Sequence, residues 1–429
     1  GRIYPVHPEA EEIDGLKAYA SVSDIPGPVD LAIVLVPHHR TLSIVRECAT
    51  KAVKGAVLFT AGYKETDTAE GKALEAELVR IARASGMRLI GPNCMGLYSP
   101  KTGLSFFPQL PREPGPVGII SHSGSLANIL CHMAPERGLR FSKAVSLGNE
   151  CDLTSADFLA YLGNDPDTRV IGIYLEGIKD GPLFLNSLRK VSLKKPVILW
   201  KLGMTPEGCR AAASHTGALA GSRQIWEGVV RQGGAVPVVG FEAWVDALVG
   251  FSFLPSTLGE RMAIISGPGG LAVSAAEACG SAGLRLAELL PKTRSTLAEI
   301  IPPTGTSVRN PIDVGLSASL NVEIYVRTAR TAASDPGVDA VVIAGIGLSQ
   351  EANQLYTESL IAAHKDLQKP FVMVNIPGFD RAFAQRFCEA GIPFFETAER
   401  AMGTYARVRR YQIWQRERSR DKGDGNLSA

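Results

Sequence analysis

The 429-residue sequence contains no apolar run near the roughly 20 residues that a bilayer-spanning helix needs, and nothing like a signal peptide precedes its first strand. It also lacks an excess of charge of either sign. With 45 Lys and Arg against 43 Asp and Glu, the formal net charge is +2, and there is no basic stripe of the kind a nucleic-acid or membrane partner selects for. Its seven cysteines, among them Cys48, Cys94, Cys131 and Cys209, show no paired spacing and no C-x-x-C. That argues against a disulfide framework and fits reduced thiols in a cytoplasmic protein. His38, His39 and His122 lack metal-ligand spacing, so no metal site is expected; His122 alone sits in a turn where it could touch a ligand.

The length predicts two or three α/β domains. Near the start, "GRIYPVHP" reads as a strand entering a turn. Then "DLAIVLVP" (30–37), "GAVLFTAGY" (55–63) and "RLIGPNCMG" (88–96) are short apolar runs ending in turn formers. Helical patterns separate them, "TLSIVRECATKAV" and "AEGKALEAELVRIARASG". This β-α-β-α-β order predicts a parallel sheet whose carboxyl edge carries "VPHHR", "TAGYKE" and "GPNCMG", the edge where open α/β sheets bind ligands. The Gly-rich first turn common in nucleotide-binding sheets is missing from residue 1 onward.

The remainder contains a long internal repeat. "VGIISHSGSLANIL" (117–130) matches "MAIISGPGGLAVSA" (262–275), "NDPDTRVIGIYLEG" (164–177) matches "SDPGVDAVVIAGIG" (334–347), and "KKPVILWKLG" (194–203) matches "QKPFVMVNIPG" (368–378). Such a period is too long for a solenoid and predicts two copies of one doubly wound domain, joined near "FLPSTLGE". Both copies run from a strand through a Gly/Ser turn into a helix, whose amino terminus offers free N–H groups and partial positive charge to a phosphate. Only the first copy carries Glu176 at the end of an apolar strand, where the second has Ile346, and "AAASHTGALAGS" (211–222) around His215. A neutral imidazole attacks phosphorus with one nitrogen if the other donates its proton to an acceptor, a role suited to Glu176, unless that carboxylate pairs with Lys179. The small residues around His215 leave room for large phosphorylated partners, and a glycine-bearing loop there can move.

"SHTGALAGS", "YLEGIKDG", "SLGNECDLTSADFLAYL", "GPNCMG" and "SHSGSL" together resemble the nucleoside-diphosphate-forming acyl-CoA synthetases, which include ADP-forming acetyl-CoA synthetase and are related to succinyl-CoA synthetase. The resemblance covers nearly the whole chain. It implies a Rossmann-like CoA-binding domain at 1–112 with its first βα unit missing. Two duplicated flavodoxin-like CoA-ligase domains at 113–254 and 258–412 would follow, then a polar tail or linker at 413–429. It implies the reaction acid + CoA + ATP ⇌ acyl-CoA + ADP + phosphate, through an acyl phosphate and a phosphohistidine. In that scheme His215 is phosphorylated and Glu176 binds its second nitrogen. Ser123, Gly124 and Ser125, with Gly269 and Gly270 opposite, hold phosphate. Pro37, Ala61, Gly62, Tyr63, Asn93 and Cys94 line the CoA or acyl site, Cys94 without a covalent role. Mg-ATP belongs to an ATP-grasp domain or subunit, whose lysine, arginine and acidic ligands no stretch here supplies, and a homo- or hetero-oligomer is implied. Two other readings stay open on the sequence: a non-catalytic CoA- or acyl-CoA-binding regulator, and a CoA transferase with Glu176 as covalent acyl carrier.

Overall fold

The computed structural model describes residues 1–105, 107–216, 222–316, 321–345, 349–367, 369–375 and 381–424, without the side chains of 213–216, 381 and 421–424. Two compact units emerge: Gly1–Pro114 with Gly118–Cys131 and Phe141–Pro237, and Gly115–Val117 with His132–Arg140 and Val238–Ala429.

The first unit begins with a hairpin, β1 (Glu12–Ile13) and β2 (Leu16–Lys17). The strand expected at "GRIYPVHP" reduces to one bridge, Val6 to Tyr19, because Pro5 and Pro8 have no N–H to extend a ladder. Then come β3 (Leu31–Val34), α1 (His38–Thr50), β4 (Gly55–Leu58), α2 (Ala69–Ser85) and β5 (Arg88–Ile90), the strands pairing in parallel in the order β3-β4-β5. Val45 and Cys48 of α1 and Leu78, Ile81 and Ala82 of α2 pack with Val34, Leu58 and Leu89 into one core.

The chain continues through β6 (Gly96–Tyr98), β7 (Pro114–Ser121), α3 (Gly124–Met133), β8 (Phe141–Ser146), α4 (Ser155–Asn164), β9 (Val170–Leu175), α5 (Gly181–Ser192), β10 (Val197–Lys201), α6 (Pro206–Thr216), α7 (Arg223–Gly233) and β11 (Val236–Val238). The sheet order is β11-β10-β9-β7-β8-β6, a doubly wound flavodoxin-like order with one strand appended, and β6 pairs antiparallel to β8. Every residue of the central strand β9 is buried, as its unbroken apolar run requires of a strand covered on both faces. β6, which precedes the boundary expected after residue 112, pairs with β8 of this sheet.

In the second unit α8 (Phe241–Phe253) precedes β12 (Arg261–Ser266), α9 (Gly269–Ser281), β13 (Arg285–Leu286), α10 (Pro291–Ile300), β14 (Ile312–Asp313), α11 (Val322–Ser334), β15 (Ala340–Ala344), α12 (Gln350–Asp366), β16 (Phe371–Val374), α13 (Arg381–Glu389), β17 (Phe394–Phe395) and α14 (Ala398–Asp424). The order β13-β12-β15-β16-β17 repeats that of β8-β7-β9-β10-β11, and the short β14 adds to β12. The expected duplication is thus present strand by strand. The residues from 413, expected as a polar tail or linker, continue α14 to Asp424.

Asp246 on α8 is 2% exposed and joins two cations of this unit. Its carboxylate accepts from Arg137 at 3.0 Å and from Arg400 at 2.5 and 2.9 Å, while Arg400 also reaches Glu242 at 2.7 Å. Removing one partner of a buried ion network leaves an uncompensated charge, which costs about 3–5 kcal/mol. Asp246→Ala should therefore lower the unfolding free energy of this unit by about that amount. Urea denaturation of the two proteins measures it.

Candidate active site

β7 and β9 end side by side, and the residues just beyond them are laced together. The His122 N–H donates to the Tyr174 carbonyl at 3.2 Å, and the Glu176 N–H donates back to His122 Nδ1 at 3.2 Å. Because Nδ1 accepts, the neutral ring carries its proton on Nε2. Nε2 lies 3.2 Å from Glu150 Oε1 but off the line of a hydrogen bond. His122 and Glu150 are both buried, and His122 braces the Glu176 turn from inside.

Glu176 is 4% exposed. Tyr174 donates its hydroxyl to Glu176 Oε1 at 3.1 Å, and Lys201 Nζ donates to the Glu176 carbonyl at 2.8 Å and to the Leu202 carbonyl. Burial, reinforced by the Glu176 carboxylate, raises the Tyr174 phenol well above its ordinary range, so it remains a donor at any physiological pH. Burial lowers the Lys201 ammonium pKa, which Cys209 and Glu176 partly offset. Lys179, a possible partner for Glu176 on the sequence, donates instead to the Glu150 carbonyl at 2.6 Å.

α6 brings the histidine segment to this strand end. Thr205 starts the helix by accepting from Gly208 N–H at 3.0 Å, and the alanines at 211–213 favour its continuation to Thr216. His215 therefore lies in a last helical turn and not in a loop; its side chain and residues 217–221 fall outside the described residues. A methyl placed on Gly203 would lie 3.8 Å from both the Ala212 side chain and the Glu176 carbonyl. Gly203 thus has Ala212, three positions before His215, and the Glu176 carbonyl both near it.

The two Gly/Ser turns share one device. Ser121 Oγ donates to the Ser123 carbonyl at 2.7 Å in the first copy, and Ser266 Oγ to the Pro268 carbonyl at 3.1 Å in the second. α3 then starts at Gly124, with Ser123 Oγ accepting from Leu126 N–H at 3.3 Å and lying 3.2 Å from Ser125 Oγ. α9 starts at Gly269 and Gly270 behind Pro268. Ile346 lies outside the described residues.

At the carboxyl edge of β3-β4-β5, Pro37 begins α1 and is exposed, as is Ala61. Glu65 accepts from Gly62 N–H at 2.5 Å and Tyr63 N–H at 3.1 Å, and Asn149 donates to Glu65 at 2.5 Å and to Glu75 at 2.9 Å. Burial raises the Glu65 carboxyl, but these hydrogen bonds outweigh it and hold the group below the usual carboxylate range. Asn93 donates to Asn149 Oδ1 at 3.4 Å. Gly148 makes this approach possible: its φ is +55°, and a Cβ there would meet the Pro92 carbonyl at 2.1 Å. Tyr63 is 1% exposed and its ring belongs to the core, so only its backbone is left to line a ligand site. Cys94 is also buried and points its thiol at the Leu58 carbonyl, 3.3 Å away. Among the described residues no group of His, Cys, Asp and Glu is arranged to hold a metal, and no helix is long and apolar enough to cross a membrane.

Three family models match the chain: a CoA binding domain over residues 1–100, a succinyl-CoA ligase-like flavodoxin domain over 114–251, and a ligase-CoA domain over 262–351. The alpha subunit of an ADP-forming acetate–CoA ligase II from Pyrococcus furiosus is 39% identical over 95% of this chain and 90% of its own length. The chain belongs to the NDP-forming acyl-CoA synthetases. An ADP-forming 4-hydroxybutyrate–CoA ligase from Nitrosopumilus maritimus is 32% identical over 96% of this chain, which spans 60% of that longer protein. Among solved structures, the dinucleotide-forming acetyl-coenzyme A synthetase 1 of Ca. Korarchaeum cryptofilum, in complex with phosphate and ADP, superposes with a TM-score of 0.86. It is 33% identical, with coverage of 97% of this chain and 90% of that one.

For this NDP-forming acyl-CoA synthetase, sequence reasoning missed the frame around Glu176: Tyr174, Lys201 and the His122–Glu150 pair. Lys201 carried a usable signal, since the second copy has Asn375 at that place in "MVNIPG". Cys94 also yields a prediction. Burial pushes its thiol up to about 12. At pH 8 about one molecule in ten thousand then carries the thiolate, against roughly a quarter for an ordinary cysteine. Alkylation of Cys94 by iodoacetamide, followed by peptide mass spectrometry, should be about a thousandfold slower in the native than in the unfolded protein and should rise about tenfold per pH unit through pH 10.

Proposed function

We propose that this chain is the acyl-transfer part of an ADP-forming acid–CoA ligase in which His215 carries the phosphoryl group. The buried Glu176 at a strand end, with its carbonyl and Ala212 of the α6 helix that bears His215 both near Gly203, is the observation that carries the reading. Phosphate attacks the acyl-CoA thioester carbonyl, releasing CoA and forming an acyl phosphate. His215 then attacks phosphorus, the bond from phosphorus to the acyl oxygen breaks, and the carboxylic acid leaves as its anion. Glu176 accepts the proton of the second ring nitrogen, selects the nucleophilic tautomer and stabilises the cation that forms.

The helix starts at Ser123, Gly124 and Ser125 and at Gly269 and Gly270 would hold phosphate through backbone N–H groups. Pro37, Ala61, Gly62, the backbone of Tyr63, Asn93 and Cys94 would line the path of CoA. Passing the phosphoryl group to ADP falls to an ATP-grasp subunit that binds the nucleotide with Mg. The alpha-subunit relatives support such a partner, because the chain matches them over 90% of their length. All seven cysteines are free, which supports a cytoplasmic setting. The deep burial of Glu176 disfavours its use as a covalent acyl carrier, which must meet CoA directly.

Incubation with acyl-CoA and [32P]phosphate, or with acyl phosphate as direct donor, should label the chain with an acid-labile, base-stable phosphate. His215→Ala should abolish the label, and Glu176→Gln should slow its formation by about 100-fold. Label on Ser or Thr, or unchanged labelling of the His215→Ala protein, would contradict the proposal.

A further inference from the structure

The two flavodoxin-like domains put one shared segment to different uses. In the second copy "VRNPIDV" (308–314) stays with its own sheet, where Ile312 and Asp313 pair with β12. Asn310 donates from Nδ2 to the Met262 carbonyl at 2.7 Å and the Ala287 carbonyl at 3.0 Å, and accepts from Ile264 N–H at 3.0 Å. In the first copy the counterpart "LGNECDL" (147–153) leaves its sheet after Leu147 and runs along β5 of the CoA-binding sheet. The N–H groups of Asn149, Cys151 and Leu153 donate to the carbonyls of Pro92, Gly91 and Leu89 at 2.9, 3.0 and 3.2 Å. Asn149, at the place of Asn310, is 6% exposed. Its Nδ2 meets two carboxylates of the CoA-binding domain, Glu65 at 2.5 Å and Glu75 at 2.9 Å.

We infer that Asn149 is a positioning residue for acyl-CoA, lent by the domain that bears His215 to the turn at 61–64 of the CoA-binding domain. The inference rests on the ligase reading above. The two carboxylates hold that turn from inside: Glu65 accepts from the N–H groups of Gly62 and Tyr63, and Glu75 from that of Lys64 at 3.4 Å. Three successive N–H groups are thus held by two like charges. Glu75 is only 6% exposed, and among the described residues neither carboxylate makes an ion pair. Charges so placed repel and have lost water, and the amide they share offsets both costs. Without it the carboxylates move apart, and the turn Ala61-Gly62-Tyr63, which would line the path of CoA, loses its fixed shape. Phosphoryl transfer from a ready-made acyl phosphate to His215 needs no CoA. Asn149 therefore acts on the first step, attack on the thioester, and not on the second.

The test compares the wild type with Asn149→Ala and with the milder Glu65→Gln, which turns an amide against the Asn149 amide and leaves one oxygen for Gly62 and Tyr63. Each protein is labelled by two routes, from acetyl-CoA with [32P]phosphate and from [32P]acetyl phosphate. Losing a hydrogen bond to a buried charge changes an equilibrium roughly tenfold or more. Both variants should therefore raise KM for acetyl-CoA by about that factor, with little change in the labelling rate at saturation. At low acetyl-CoA, label by the first route should fall about tenfold relative to label by the second. An equal loss on both routes, as a general loosening of the fold would give, or an unchanged KM in either variant, overturns the inference. If the wild type takes label from neither donor, the ligase reading fails, and calorimetry with CoA decides the role of Asn149 by itself. Binding about tenfold weaker in both variants supports it; equal binding by all three proteins, or none by the wild type, overturns it.

Discussion

A carboxylate removed from water at the end of a parallel strand is costly unless the surrounding chain holds it by hydrogen bonds. Around Glu176 that holding is done mostly through the main chain. His122 takes its N–H, Lys201 takes its carbonyl, and Tyr174 donates to the side chain. The residue is thereby fixed at the strand end. His122 does this with its ring accepting at Nδ1. The proposed pairing of Glu176 with His215 depends on this frame more than on any contact His215 makes for itself.

Duplication explains why the frame is easy to recognise. Two domains share one strand order and one Ser-braced turn before a helix, yet only one received the glutamate, the lysine below it and the histidine-bearing helix. The same domain also gained β6, whose antiparallel pairing to β8 covers one flank of α3. A scaffold able to hold an anion at a helix start was specialised by additions at its edges, with its core order intact.

Much of this organisation is legible in the sequence, for identifiable reasons. Buried parallel strands are unbroken apolar runs, so β4, β9 and β12 announce themselves, and the repeat exposes the duplication. Glu176 and His215 stand out because the second copy lacks them. β6 does not stand out: three residues, Gly-Leu-Tyr, carry no period, and their pairing with β8 is decided by a strand nearly fifty positions away. The helix under His215 was masked by glycines and serines just beyond it, although the alanines before it favour helix. Tyr63 looked like part of a ligand-lining turn, and its ring is core, because a turn residue's direction follows from packing that no local pattern records. The His122–Glu150 pair depends on two loops brought together by the sheet, which sequence spacing does not show.

The most direct measurement of the central claim is the 15N NMR spectrum of the imidazole nitrogens in histidine-labelled protein, with the His215 signals assigned by their absence in His215→Ala. The account predicts a single neutral tautomer of His215 near pH 8, with one nitrogen hydrogen-bonded to a carboxylate, and a mixture of tautomers in Glu176→Gln. A His215 spectrum unchanged by Glu176→Gln would contradict it.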